Sequence, residues 1–423
     1  MDRRQFLSLS AMSLAGLALS DIGLDAKAPS HYNVVILGDT HFDTEPASVY
    51  HSCYNEPTEW LNRVQRAEFA RNGEMWRERC RRMLDASAKV AADHPETDFV
   101  LQLGDVIQGD CDDAATHVKM LDDCIRMLRA PYPKDLPFLT VVGNHDFRGE
   151  GAWDAYFGFI EPFLSRELGE RVKYPAFSFR RGPDAWIFCH FEAAELTDLI
   201  RLIDSAHDAR HVFLVTHGPF TPGESTNWRW RLGGSEHAGA FYRRRLMDVL
   251  LERHVIVLSG HTHQVAWWRI ANDRGSYAEV TVNSVWSAPE LATAEPLAAT
   301  PADYGNATIA KLEAKDEAQR ANEYRADIMP FKDGLTDYFF NRGAGHFRLN
   351  VAEERVDIEY YPGAALVPAR RYVRAHGETF VGKDGAKRVK AHLDALAAEL
   401  NKPRFGKANE VADAIRKGGE AAR

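Results

Sequence analysis

Five runs along the chain, YNVVIL, DFVLQL, FLTVV, HVFLVT and HVIVLS, are nearly continuous in hydrophobicity and rich in β-branched residues. Such runs predict strands buried on both faces, because a sheet with one wet face would alternate apolar and polar positions. Each run ends in a small polar cluster: GDTH, GDVIQ, GNHD, THGP and GHTH. Ligands of open α/β sheets gather beyond the carboxyl ends of the strands. The clusters therefore place Asp39, His41, Asp105, Asn144, His145, His217, His261 and His263 where a site would form. Gly38, Gly104, Gly143 and Gly260 fall where each strand has to turn sharply.

The intervening sequence reads as crossovers and insertions. Between Phe42 and Phe99 a loop-like stretch with two prolines gives way, from about Glu59 to Ala92, to apolar residues at helical spacing. This loop begins beside His41, which makes Tyr50 and Tyr54 candidates for substrate contact. A helix is expected around Ala115 to Leu128, and a β-hairpin around Arg181, Gly182 and Pro183. The runs AWWRI, YAEVTVNSV, FRLNV and RVDIEYY read as strands that complete a second sheet, the last two as a hairpin across AEE. Leu291 to Asn341 reads as an irregular or helical excursion, and Lys383 to Ala422 as two short helices. A second glycine–aspartate pair, Gly109 and Asp110, reads as the start of a solvated acidic loop. His190 ends a further strand-like run, AWIFCH, and is a weaker candidate for the site.

The chemistry of the clusters is that of oxygen and imidazole ligands with no thiolate among them. That set suits Mn, Fe or Zn more than a soft-metal or iron–sulfur centre. Two divalent cations about 3.5–4 Å apart can clamp the attacking and leaving oxygens of an in-line displacement, provided one carboxylate bridges them. Asp105 is the natural bridge.

The ordered series D-x-H, G-D, G-N-H-D, H and G-H-x-H resembles the calcineurin-like metallophosphoesterases. The resemblance implies a four-layer α/β/β/α sandwich of two packed mixed sheets with helices outside and the metal site at the carboxyl ends of the strands. It also implies that Asp39, His41, Asp105 and His263 surround one metal ion, and Asp105, Asn144, His217 and His261 the other. His145 would stand beside the phosphate as the catalytic group, with Asp146 fixing its orientation and Asn144 close by. The reaction would be attack of a metal-bridging hydroxide on a small phosphoester. Gln108 stands where the purple acid phosphatases carry tyrosine in G-D-x-x-Y, so no iron–tyrosinate colour is expected. The D-x-H opening is similar to the phosphodiesterase branch, which favours a diester. A monoesterase acting on nucleotide or sugar phosphates, or a non-catalytic metal-binding scaffold, are the alternatives.

Composition narrows the partners. A net charge of -9 argues against general nucleic-acid binding, which usually leaves a basic stripe. The local exception is TPGESTNWRWRLGGSEH, where Trp228, Arg229, Trp230 and Arg231 would either hold a phosphate and stack a ring or form a local aromatic staple. Five cysteines without C-x-x-C spacing are read as structural. The amino terminus, MDRRQFLSLSAMSLAGLALS, resembles a twin-arginine export signal through Arg3 and Arg4. Cleavage is expected after Ser20 or Ala28, leaving a periplasmic or secreted enzyme with no stable membrane span; an uncleaved anchoring helix is the alternative. The domain reading is accordingly 1–28 signal, 29–300 phosphoesterase core, and 301–423 a C-terminal extension whose strands, at about 346–361, return to the core.

Overall fold

The computed structural model describes residues 30–42, 80–111, 113–172, 175–190, 196–225, 239–283 and 296–375. The first half builds parallel strands joined by helical crossovers. β1 (Tyr32–Leu37) is followed by α1 (Arg81–Ala92), β2 (Thr97–Gln102), α2 (Ala114–Arg129) and the short β3 (Phe138–Thr140). α2 starts where the Asp113 carboxylate accepts from Thr116 N at 2.9 Å, and it carries arginines in its last turn, as the helix dipole favours. After β3 come α3 (Ala152–Ala155), a π turn (Tyr156–Ile160) and α4 (Glu161–Leu168). The expected hairpin follows as β4 (Ala176–Arg181) and β5 (Asp184–Cys189), then α5 (Leu196–Ser205), β6 (Val212–Thr216), α6 (Gly239–Glu252) and β7 (Ile256–Ser259).

The later part returns strands to both sheets. β8 (Val265–Asn272) and β9 (Gly275–Thr281) precede α7 (Asn306–Glu313), α8 (Ala318–Lys332) and β10 (Leu335–Asn341). β11 (Gly345–Val351), β12 (Arg355–Pro362) and β13 (Arg370–Ala375) end the described chain. One sheet has the order β13-β12-β11-β1-β2-β3, the other β10-β8-β9-β7-β6-β5-β4. Both are mixed: β1, β2 and β3 run parallel, as do β5, β6, β7 and β9, with antiparallel strands added at the edges. The FRLNV and RVDIEYY hairpin therefore does not complete the second sheet as expected; β11 pairs antiparallel with β1 and extends the first. Periodicity marks a strand but not its partner, and β1, buried along its whole length, had an edge to fill. β10 and β13 are strands that the apolar pattern does not announce. β10 lies in the region expected to be helical or irregular, which also holds α7 and α8.

Alternation along the second sheet shows why the layers stack as they do. Trp186, Phe188, Phe213, Val215, Ile256 and Leu258 share a core with the first sheet. Their neighbours Ala185, Ile187, Leu214 and Val257 share another with Leu199 and Ile203 of α5 and Leu246 and Leu250 of α6. Met83 and Leu84 of α1 and Leu121 and Ile125 of α2 belong to the core of the first sheet. The result is the helix–sheet–sheet–helix sandwich. Among the described residues no helix is long and apolar enough to cross a membrane.

Polar contacts cross between the sheets, among them the ion pair of Arg181 on β4 with Asp98 on β2. Trp186 Nε1 donates to Tyr32 Oη at 2.9 Å, and Val142 N, just past β3, donates to His190 Nδ1 at 3.0 Å. His190 thus does not enter the polar cluster; it supports the strand end from which GNHD departs, against the rings of Tyr156 and Phe177. Tyr32→Phe leaves a buried indole N–H without this acceptor and should lower unfolding free energy by about 1–3 kcal/mol in urea titrations; an unchanged midpoint would refute the contact. Burial pushes the pKa of His190 down to about 3 from 6.5. Between those values the unfolded chain binds a proton that the folded chain refuses, so this contribution is complete above about pH 6.5 and is lost as the pH falls toward 3. His190→Asn keeps an acceptor for Val142 but cannot titrate. Between pH 8 and pH 5 the wild type should lose about 2 kcal/mol more stability than this variant, and equal losses would contradict the assignment.

Candidate metal centre

All five polar clusters lie at the ends of their strands, and their backbones are held in unusual conformations. His41, Asp105, His261 and His263 all have positive φ, at 41°, 48°, 66° and 51°. Side-chain-bearing residues rarely adopt this region, at a cost of order 1–3 kcal/mol each, so other contacts must enforce it. Thr40 N and His41 N both donate to the Asp105 carbonyl, at 2.9 and 2.8 Å. His145 N donates to Asp105 Oδ1 at 2.8 Å, and His261 N to Asp39 Oδ2 at 3.0 Å. The two carboxylates approach so closely because the backbone opposite is glycine. A Cβ at Gly143 would lie 2.1 Å from Asp105 Oδ1, and one at Gly260 2.3 Å from Asp39 Oδ1.

The histidines turn specific nitrogens inward. His41 Nδ1 donates to Gln108 Oε1 at 3.0 Å, His145 Nδ1 to the Gln108 carbonyl at 2.9 Å, and His217 Nδ1 to the Leu103 carbonyl at 2.8 Å. With Nδ1 carrying the proton, each Nε2 presents a lone pair to the interior. Two lobes result. In one, Nε2 of His41 lies 2.9 Å from Nε2 of His263, which is 3.1 Å from Asp39 Oδ2. In the other, Nε2 of His217 lies 3.1 Å from Asn144 Oδ1, 3.1 Å from Asp105 Oδ2 and 3.2 Å from His261 Nδ1. Asp105 Oδ2 is also 3.5 Å from His41 Nε2, so one oxygen borders both lobes. Acceptors that converge at such distances repel one another unless a cation lies among them, and the donor set is that of a hard or borderline divalent ion. The residues present therefore fit metal ions.

The same crowding appears in the proton affinities. Burial opposes charge on His217, but Asp105 and Asp39, with the hydrogen bonds to Asp105 and Leu103, raise its pKa to about 9. Burial alone would raise Asp105, yet His217, His145 and His41 hold it well below the usual carboxylate range. Burial and the neighbouring His217 lower His261 to about 3. A proton is thus held at His217 and refused by His261.

The supporting residues depart from expectation in two places. Asp146 does not take the His145 ring nitrogen, whose proton goes to Gln108; its carboxylate accepts from Gly143 N at 2.8 Å and Ile107 N at 3.1 Å, fastening two loops together. The Gln108 carbonyl is within hydrogen-bond reach of that nitrogen, and two backbone N–H groups already occupy the Asp146 carboxylate. Nor is Gly109–Asp110 a solvated acidic loop. Asp110 N donates to the Arg148 carbonyl at 2.9 Å, and the Asp110 carboxylate pairs with the Arg148 guanidinium at 2.8 Å. His117, outside the motifs, donates through Nε2 to the Asp146 carbonyl at 2.9 Å. Glu279 is a supporting residue that no sequence pattern singles out. Its carboxylate accepts from Phe220 N and Thr221 N at 2.8 and 2.7 Å, and from Ser259 Oγ at 3.3 Å, so it braces the loops of His217 and His261 from below. Burial raises its pKa to about 7 despite these bonds. Within Phe147 to Phe163 the rings mostly pack on one another, as Phe147 stacks on Trp153 at 4.1 Å. Tyr50, Tyr54, Trp228, Arg229, Trp230 and Arg231 lie outside the described residues.

Over 147 residues the chain is 30% identical to the DNA double-strand break repair protein Mre11 of Halobacterium salinarum, a match covering 34% of this chain and 35% of that one. The chain thus spans about a third of the length of that curated relative. Among solved structures, the purple acid phosphatase from yellow lupin (Lupinus luteus) is similar at 12% identity and a TM-score of 0.45, over 84% of this chain and 55% of that one. A dimetal phosphatase from Danio rerio is similar at 12% identity and a TM-score of 0.42, over 82% of this chain and 99% of its own. The sequence model of the calcineurin-like phosphoesterases matches residues 32–265, more than half of the chain. The protein therefore belongs to the calcineurin-like phosphoesterase family, whose members are metal-dependent phosphoester hydrolases.

Proposed function

We propose that the site hydrolyses small phosphoesters, diesters in preference to monoesters, by in-line attack at a binuclear centre in an exported enzyme. The observation that carries the binuclear reading is the pair of lobes flanking Asp105 Oδ2, with Asp39, His41 and His263 on one side and Asn144, His217 and His261 on the other. Two ions of Mn, Fe or Zn would supply an acidified water and positive charge opposite the phosphoryl oxygens.

The chain's own residues do the rest. Asp105 and Asp39 are anchored by backbone N–H groups and cannot swing away as charge develops. Gln108 fixes the tautomers of His41 and His145 at once, through its side chain and its carbonyl. His145, whose ring lies 4.4 Å from that of His41, turns a ring nitrogen toward His41 and Asp105 and, once protonated there, would stabilise charge on the phosphate or protonate the leaving oxygen. Two carboxylates among neutral ligands leave a loaded centre cationic, which favours an anionic ester. The D-x-H opening with histidine at 41, and glutamine in place of tyrosine at 108, support a phosphodiesterase.

Turnover of bis-p-nitrophenyl phosphate should exceed that of p-nitrophenyl phosphate in kcat/KM when the purified protein is supplied with Mn, Fe or Zn. The reverse order would assign a monoesterase, and bound metal without turnover a scaffold. His145→Ala should retain metal and lose about 10²- to 10⁴-fold in kcat, whereas Asp105→Asn should lose metal as well. Export is supported by Arg3 and Arg4 ahead of the apolar stretch. Replacing both by lysine should hold the activity in the cytoplasm on fractionation, and unchanged periplasmic activity would remove this part of the proposal.

A further inference from the structure

The loop that follows GNHD carries a cation to the rim of the centre. Arg148 Nε donates to Asp110 Oδ1 at 3.1 Å, and Nη2 lies 2.8 Å from Asp110 Oδ2 in an ion pair, so the carboxylate holds one side of the guanidinium. Its remaining corner, Nη1, lies 3.1 Å from Nδ1 and 3.2 Å from Nε2 of His145. A point equidistant from both ring nitrogens at that range lies over the face of the ring, since within its plane it would collide with Cε1. The contact is therefore a stack, consistent with the His145 Nδ1 proton going to Gln108. The Arg148 side chain is 28% exposed, so a solute can reach it.

A purely structural role explains this poorly. The two loops are already joined through backbone, by Asp110 N to the Arg148 carbonyl at 2.9 Å and Glu150 N to the Cys111 carbonyl at 2.9 Å. Held by Asp110 on one side, the guanidinium lies with its Nη1 end on the His145 ring, where it adds to the positive field that a loaded centre turns toward an oxyanion. We propose that Arg148 is a substrate-binding residue, whose Nη1 end, aimed by Asp110, takes a phosphoryl oxygen of the ester next to His145. This deepens the phosphoesterase reading and rests on it. The class of ligand is an oxyanionic phosphoryl group, in the substrate and in the released phosphate alike.

The test measures inhibition by inorganic phosphate, KM and kcat for bis-p-nitrophenyl phosphate, and metal content per chain, in the metal-loaded protein. Arg148→Ala should raise the phosphate inhibition constant and KM by about 10- to 100-fold, with a smaller change in kcat and unchanged metal. Added guanidinium ion should restore part of the loss. Arg148→Lys, which keeps the charge but not the fork, should fall between the two, and Asp110→Asn should shift the same constants in the same direction by a smaller factor. A phosphate constant and KM within about twofold of wild type in both Arg148 variants would overturn the assignment, as would a fall in kcat that merely tracks lost metal. A wild type that hydrolyses neither ester would instead sink the reading beneath it, and that result is read before any variant is made.

Discussion

Asp105 is where three loops are tied into one site. Its carbonyl receives the N–H groups of Thr40 and His41, one carboxylate oxygen receives that of His145, and the other faces His217 and His41. A single residue thus sets the separation of the loops after β1, β2 and β3 and supplies charge to the space between them. Charge-assisted hydrogen bonds of this kind are shorter and stronger than neutral ones. Here they also hold Asp105 itself at a φ of 48°.

Around this tie the fold arranges support from both sheets. Asp146 grips the backbone on the first-sheet side, while Glu279 grips the His217 and His261 loops from β9 in the second. Glu224 extends that bracing outward. Its carboxylate accepts from Gly305 N and Thr308 N at the start of α7 and from Tyr338 Oη on β10, linking the loop beyond His217 to the C-terminal strands and helices. The site lies between two sheets, and each sheet contributes buried carboxylates whose work is to hold backbone in place.

Much of this arrangement is legible in the amino-acid sequence, for a physical reason. Strands buried on both faces announce themselves as unbroken apolar runs, and polar residues directly after them have nowhere to go but the sheet end. That logic locates Asp39, His41, Asp105, Asn144, His145, His217, His261 and His263. It does not tell which sheet a strand joins, so the β11–β12 hairpin reads as part of the wrong one, and β10 is hidden in a region of mixed composition. The partners that hold the ligands are illegible for a different reason. Gln108, Arg148 and Glu279 act through geometry made by turns, and a pair of hydrogen bonds from two histidines to Gln108 leaves no periodic trace in sequence. Asp110 reads as surface because acidic clusters usually are, yet Arg148 folds it inward.

The left-handed backbone at His41, Asp105, His261 and His263 has an implication for engineering. At each position glycine would adopt the conformation without steric penalty, so the residue needed for chemistry is also the less comfortable one. Screens that select only for thermal resistance would tend to erode these very positions. A stabilised variant of this hydrolase would need selection for turnover in the same round.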